Sequence, residues 1–175
     1  MLRKALLGIA GTALLSTGSV QADSYFGLNA TKIDYSESGI DDIDLTAANF
    51  RFGTVLSENV AFEVRAGIGI GDDTVNVMGV DVDVELENMF GAYFRFGAPV
   101  NEDFYPYAVL GYTRGKLEAS AMGFSDSESE SDTSFGVGAD FTVSDGLVIN
   151  IEYMNFLDKD DVEVDGLSFG VARSF

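Results

Sequence analysis

Residues 59–70 read NVAFEVRAGIGI, and the way their side chains divide decides the fold. In an extended chain, successive side chains point to opposite faces. Val60, Phe62, Val64, Ala66, Ile68 and Ile70 then share one face, while Ala61, Glu63, Arg65, Gly67 and Gly69 share the other. One face is wholly apolar. The other mixes small residues with an acid and an arginine.

The division recurs along the chain. Phe90, Ala92, Phe94 and Phe96 oppose Met89, Gly91, Tyr93, Arg95 and Gly97. Phe135, Val137, Ala139, Phe141 and Val143 oppose Ser134, Gly136, Gly138, Asp140 and Thr142. Leu147, Ile149, Ile151 and Tyr153 oppose Val148, Asn150 and Glu152. The closing stretch, LSFGVARSF (167–175), sets Leu167, Phe169, Val171 and Phe175 against Ser168, Gly170, Ala172 and Ser174. Eight such runs are legible, near 24–35, 45–56, 59–70, 80–97, 104–117, 133–143, 147–156 and 164–175. Each is long enough for a tilted strand to cross a bilayer, which takes about 9–11 residues. The links at 57–58, 98–103 and 144–146 are short; those at 36–44, 71–79, 118–132 and 157–163 are longer and polar. This is the pattern of an all-β, eight-stranded antiparallel up-and-down transmembrane β-barrel.

A soluble exported lipocalin-like ligand binder would turn the apolar face inward, and a membrane barrel turns it outward. The polar face chooses between them. It carries Gly27, Gly53, Gly67, Gly69, Gly91, Gly97, Gly111, Gly136, Gly138 and Gly170. A solvated wall has no use for so many strand-weakening glycines, whereas the crowded centre of a narrow barrel does. The same face bears Arg51, Arg65 and Arg95 with Glu63, Asp140 and Glu152, three charges of each sign that can pair inside a lumen. Slipping one strand by a residue would drive Glu63 and Arg65 into lipid, and an arginine at the midplane costs ~2–4 kcal/mol. Phe26, Phe52, Phe62, Phe96, Phe141 and Phe175 fall near the short turns or the termini, and Tyr35, Tyr112 and Tyr153 toward the long loops, as two interfacial girdles.

Arg3 and Lys4, the apolar run ALLGIAGTALL (5–15) and the small-residue pattern at Val20-Gln21-Ala22 read as a secretory signal peptide over 1–22. The barrel domain is then 23–175. The whole chain carries −19; without Arg3 and Lys4, 8 basic residues face 29 acidic ones, or −21. Such a surface repels nucleic acid. There is no cysteine, so no disulfide frame supports the fold. There is no histidine either, which removes the base of Ser–His chemistry, and Glu63 and Glu152 have arginines to neutralise them. No catalytic residue and no cofactor is expected.

The sequence resembles the eight-stranded outer-membrane β-barrel family of Gram-negative bacteria, with its OmpX/Ail-like and opacity proteins and the OmpA transmembrane domain. The likeness rests on the leader, the strand pattern, FGAYFRFGAP (90–99), YPYAVLGYT (105–113) and the terminal Phe175. It implies an outer-membrane location with loops outside and both termini in the periplasm. It implies contact with outer-membrane lipid and lipopolysaccharide, and a monomer. It also implies handling by the barrel-assembly machinery, which in that family reads the terminal aromatic strand, here Leu167, Phe169, Val171 and Phe175. Arg173 departs from the family's apolar preference, at an interfacial position where an arginine costs ~0–1 kcal/mol. With nothing after Phe175, an OmpA-type periplasmic domain is not expected.

The acids are concentrated at one end. Of the 29, 21 lie in the four long-loop regions, from Asp34 to Asp44, Asp72 to Glu87, Glu118 to Asp132 and Asp158 to Asp165. Asp158, Asp160, Asp161, Glu163 and Asp165 are candidate ligands for a hard divalent cation, although DKDDVEVDG (158–166) lacks the glycine placement of an EF-hand loop. The other reading is a solvated acidic surface. FSDSESESDTS (124–134) reads as a loop tip. Lys32, Arg114 and Lys116 fall near the outer rim, facing either lipopolysaccharide phosphates or neighbouring acids. The expected role is structural, in envelope integrity, or surface interaction through the acidic loops. A narrow channel for ions or small solutes is the alternative.

Overall fold

Period-two alternation is realised as eight strands: β1 (Ser24–Glu37), β2 (Ile43–Ser57), β3 (Val60–Val77), β4 (Val80–Gly97), β5 (Phe104–Ala121), β6 (Phe124–Ser144), β7 (Leu147–Lys159) and β8 (Val162–Ser174). The structure is a computed structural model that describes residues 24–37, 43–77, 80–159 and 162–175. The proposed leader over 1–22 lies outside the described residues. Each strand pairs antiparallel with the next, and β8 returns to β1 through Tyr25↔Ser174 to Glu37↔Val162, closing the barrel. Closure leaves no unpaired strand edge.

The wall is apolar outside, and in the half nearer the termini it is polar and charged inside, the reverse of a water-soluble barrel. Phe94 and Ile149 are 45% and 48% exposed, whereas Glu63 and Arg51 are 0% and 2% exposed. The lumen is narrow enough to require glycine. A Cβ on Gly138 would lie 2.6 Å from the Tyr107 ring, and one on Gly27 would lie 2.7 Å from Arg51 Nε. Near the termini, Phe175 stacks obliquely against Phe26 and Phe52 at 6.1 and 6.4 Å, and Phe104 against Phe141 at 5.1 Å. Tyr112 and Tyr153 face outward toward the opposite end. Tyr35 does not join them. It shares the inward phase of Ile33 on β1 and packs against the luminal core.

The strands run further than the alternation alone suggests. Residues 124–134, expected as a loop tip, belong to β6 and pair continuously with β5 from Phe124↔Ala121 to Ser134↔Gly111. The hairpin turns at Met122 and Gly123, both at positive φ (52° and 82°), as a two-residue connection of twisted strands demands. Serine–acid alternation satisfies strand period as well as apolar–polar alternation does, and the ladder of β5 supplies the hydrogen bonds.

One register break reshapes the outer end of the lumen. Carried back along β4, the phase that points Phe90 outward would point Val82, Val84 and Leu86 outward too. The pairing with β5 slips between Leu86 and Asn88. A bulge of this kind re-aims the side chains beyond it. Val84 and Leu86 are therefore buried, and Asp81, Asp83, Glu85 and Glu87 are exposed.

Candidate functional site: a charged plug beneath an apolar chamber

The lumen has two storeys. The lower one, nearer the termini, is built by residues that alternate inward with the glycines. Arg65 on β3 lies between two acids. Its Nη1 and Nη2 donate to Glu152 Oε1 and Oε2 at 2.5 and 3.0 Å, and its Nε and Nη2 donate to Glu63 Oε2 at 2.8 and 2.6 Å. Arg95 on β4 donates through Nη1 to Glu63 Oε1 at 3.1 Å and to Tyr25 Oη at 3.0 Å, and through Nη2 to Asp140 Oδ2 at 2.6 Å. Tyr25 in turn donates to Glu63 Oε1 at 2.5 Å. The guanidinium of Arg95 lies 3.7 Å from the Tyr107 ring centroid, and that of Arg65 lies 4.5 Å from that of Tyr93.

Arg51 completes the set with a different geometry. Its Nη1 is 3.8 Å from Glu63 Oε1 and its Nη2 is 3.9 Å from Asp140 Oδ1, and none of its three guanidinium nitrogens has a hydrogen-bond partner. Arg51, Glu63, Arg65, Arg95, Asp140 and Glu152 thus meet in one place. Three positive and three negative charges cancel there, which is how buried charge is tolerated.

A band of hydroxyls and amides lies above the charges. Tyr93 Oη, Thr113 Oγ1 and Ser134 Oγ are linked at 2.7 and 2.6 Å, and Ser134 donates to the Phe156 carbonyl at 3.0 Å. Asn49 donates to Thr31 at 2.7 Å, and Thr31 lies 2.8 Å from Ser168 Oγ. Between the two storeys remains a space of about 20 Å³ beside Arg51 and Arg65, room for roughly one water.

The upper storey is apolar. Ile33, Ile43, Leu45, Val84, Leu86 and Phe156 line a chamber of about 550 Å³ that extends to the exposed residues of the β5–β6 hairpin. Sequence reasoning missed it. The signal was present in the even-numbered run Val80, Val82, Val84 and Leu86, but its direction depends on the bulge at Leu86–Asn88. Glu37, Asp126, Glu128 and Glu130 stand at the mouth, with Lys159.

The candidates outside the lumen lie on the wall and the rim. Leu167, Phe169, Val171 and Phe175 all point outward from the barrel. Lys32 bridges Asp34 and Asp44 at 2.9 and 3.1 Å, and Lys116 pairs with Glu87. These two cations therefore serve neighbouring acids. Arg114 and Arg173 are exposed. Of the candidate cation ligands, Asp160 and Asp161 lie outside the described residues. Asp158 sits opposite Glu163 across β7–β8, and Asp165 accepts from Asn155 at 3.2 Å. Among the described residues no group of three or more acids, histidines or cysteines is arranged to hold a metal ion.

Comparison with known proteins agrees with this architecture. The family model described as "Outer membrane protein beta-barrel domain" matches residues 5–175. No curated protein sequence matches the chain. Among solved structures, Ail, the attachment invasion locus protein of Yersinia pestis, superposes with a TM-score of 0.67 at 19% identity, covering 88% of this chain and 99% of Ail. Ail has also been crystallised with the heparin analogue sucrose octasulfate. Neisserial surface protein A gives 0.68 at 14% identity, covering 87% and 97%. OprG of Pseudomonas aeruginosa gives 0.62 at 13% identity, covering 88% and 96%.

Proposed function

The chain belongs to the outer membrane protein β-barrel domain family, as a non-enzymatic barrel with extracellular hairpins and periplasmic termini, and from that premise we propose that it is a non-conducting envelope protein acting through its acidic outer surface. The observation that carries this reading is the Arg65 clamp on Glu63 and Glu152. It spans the lumen from β3 to β7, and the Arg95–Asp140 pair adds a second link from β4 to β6, both in the path that an ion would have to take. An eight-stranded barrel leaves an interior just filled by side chains. The favoured role is therefore structural or surface interaction, not transport of ions.

The outer surface sets the kind of contact. Exposed Asp81, Asp83, Glu85 and Glu87 on β4 face away from the axis, and the acids of β6 crowd the mouth. Ail is seen with a polyanion; the acidic rim here disfavours polyanions and suits basic or cation-bridged partners. Lipopolysaccharide phosphates would be reached through bridging divalent cations, because Lys32 and Lys116 are engaged by acids. In biogenesis the leader over 1–22 is removed, and the assembly machinery reads the outward row Leu167, Phe169, Val171 and Phe175. The closed wall gives no strand edge for a second copy, in keeping with a monomer.

Two experiments test the proposal. Purified barrel in planar bilayers is expected to give no discrete conductance; steady single-channel steps would overturn the plug. Deletion of the gene is expected to alter envelope permeability or surface adhesion, and replacing the β4 and β6 acids with amides should reproduce the adhesion defect.

A further inference from the structure

We propose that the apolar chamber at the extracellular end binds a single-chain amphiphile carrying a cationic head group. The proposal requires only the barrel, and does not depend on the surface role above.

The chamber holds about 550 Å³, within the roughly 300–1,000 Å³ of small-molecule sites. Its walls are aliphatic, with Ile33, Leu45, Val84 and Leu86 facing one another from three strands. Its floor is sealed by the Tyr93–Thr113–Ser134 chain of hydroxyls, so a ligand enters from outside and stops there. Polar contacts end where the aliphatic walls begin. The aliphatic part of the site therefore fits a hydrocarbon chain, and the polar groups of its lining are gathered at the mouth and the floor.

Gly115 shows that the space is not an accident of packing. Added Cβ atoms on Gly27, Gly138 and Gly170 would all come under 3.0 Å from a neighbour, so close approach explains those glycines. Gly115 on β5 lines the chamber, and a Cβ there would meet nothing within 4 Å. Its φ is ordinary, unlike that of Gly123 at the hairpin turn. Glycine weakens a strand and no backbone need retains it here. Its effect is to widen the cavity.

The mouth selects the head group. Asp126, Glu128 and Glu130 come from the same inward phase of β6 that places Ser134 in the lumen, and Glu37 joins them from β1. Among the described residues that line it, Lys159 is the one base. Four acids against one base repel a carboxylate or sulfate head and draw in an ammonium.

The test uses the full barrel in phosphatidylcholine nanodiscs with ¹³C-methyl isoleucine. Ile33 and Ile43 report on the chamber; Ile149 and Ile151, on the outer wall, report partition into lipid. Decyltrimethylammonium is expected to give saturable shifts at Ile33 and Ile43, at least tenfold tighter than decyl sulfate. Referred to free aqueous ligand, binding should tighten roughly fourfold per added methylene from octyl to decyl. Gly115→Leu fills the chamber without a backbone clash and should abolish the Ile33 and Ile43 response while leaving Ile149 unchanged. Val84→Phe gives a second filling variant, and heat-modifiable gel mobility verifies folding of both. Glu128→Gln with Glu130→Gln should weaken the preference for ammonium, because Glu37 and Asp126 still outnumber Lys159 at the mouth. Non-saturating shifts of equal size at Ile33 and Ile149, or a sulfate analogue binding as tightly as the ammonium, would overturn the proposal.

Discussion

Arg65 and Glu152 meet two-on-two across the lumen, Nη1 to Oε1 at 2.5 Å and Nη2 to Oε2 at 3.0 Å, joining strands four apart in the barrel order. Such bidentate pairs are the strong ones, and breaking one partner strands the other in a dry interior. Arg65→Met or Glu152→Leu alone should cost about 3–5 kcal/mol. The single variants leave the lumen with a net charge of −1 and +1 respectively. The double variant restores neutrality and should recover much of the loss. Urea unfolding of refolded barrel in detergent micelles measures all three, and equal costs for single and double variants would refute the coupling.

Arg51 should behave differently from Arg95 although both are buried. Arg95 makes three hydrogen bonds to Tyr25, Glu63 and Asp140, whereas Arg51 makes none and stands 3.8–3.9 Å from its acids. Hydrogen bonds to charged groups contribute ~1.5–3 kcal/mol each. Arg51→Met is therefore expected to cost less than half of what Arg95→Met costs in the same unfolding assay. A larger loss at Arg51 would mean that its long-range attraction to Glu63 outweighs the short contacts of Arg95.

Gly138 faces Tyr107, and a methyl group added there would lie 2.6 Å from the ring. Overpacking of this kind typically costs ~1–3 kcal/mol. Gly138→Ala should lower stability by that amount, and Tyr107→Leu in the same chain should return part of it. Gly115→Ala, with open space around it, should be neutral or stabilising. Thermal unfolding of the variants side by side distinguishes the two kinds of glycine.

The barrel is readable from sequence because one physical choice, lipid outside and charge inside, forces every strand into a single register. Period two alone assigns Glu63, Arg65 and Phe94 to their faces. The chamber is not readable, since a bulge between Leu86 and Asn88 reverses the phase and no residue type marks it. Tyr35 falls in the outer girdle only when aromatic character is weighed above the odd phase it shares with Ile33. The 124–134 segment reads as a loop because serine and acids are poor strand formers in isolation, while β5 supplies the partner that propensity ignores.

Two carboxylates on the outer rim, above the apolar band, should titrate in opposite directions. Asp34 accepts from Lys32 Nζ at 2.9 Å, and that hydrogen bond holds its carboxyl below the usual range. Glu163 lies beside Asp165, whose charge pushes it up. For Asp34 the stabilising contribution is present above the unfolded pKa of about 3.9 and is lost as pH falls through the lower folded value. For Glu163 the sign reverses. Its repulsion with Asp165 is fully felt at neutral pH and is relieved as pH falls through its raised folded value, so acidification first helps the rim and then harms it. Carboxyl ¹³C titration should therefore find Asp34 below and Glu163 above their unfolded references. Lys32→Met should raise Asp34 without moving Glu163, whereas Asp165→Asn should lower Glu163 and, more weakly, Asp34, which lies opposite Asp165 across β1–β8 and feels its charge. If Lys32→Met moved Glu163 as far as Asp34, or Asp165→Asn moved Asp34 as far as Glu163, the rim would be acting as one diffuse acidic field and not through local pairs.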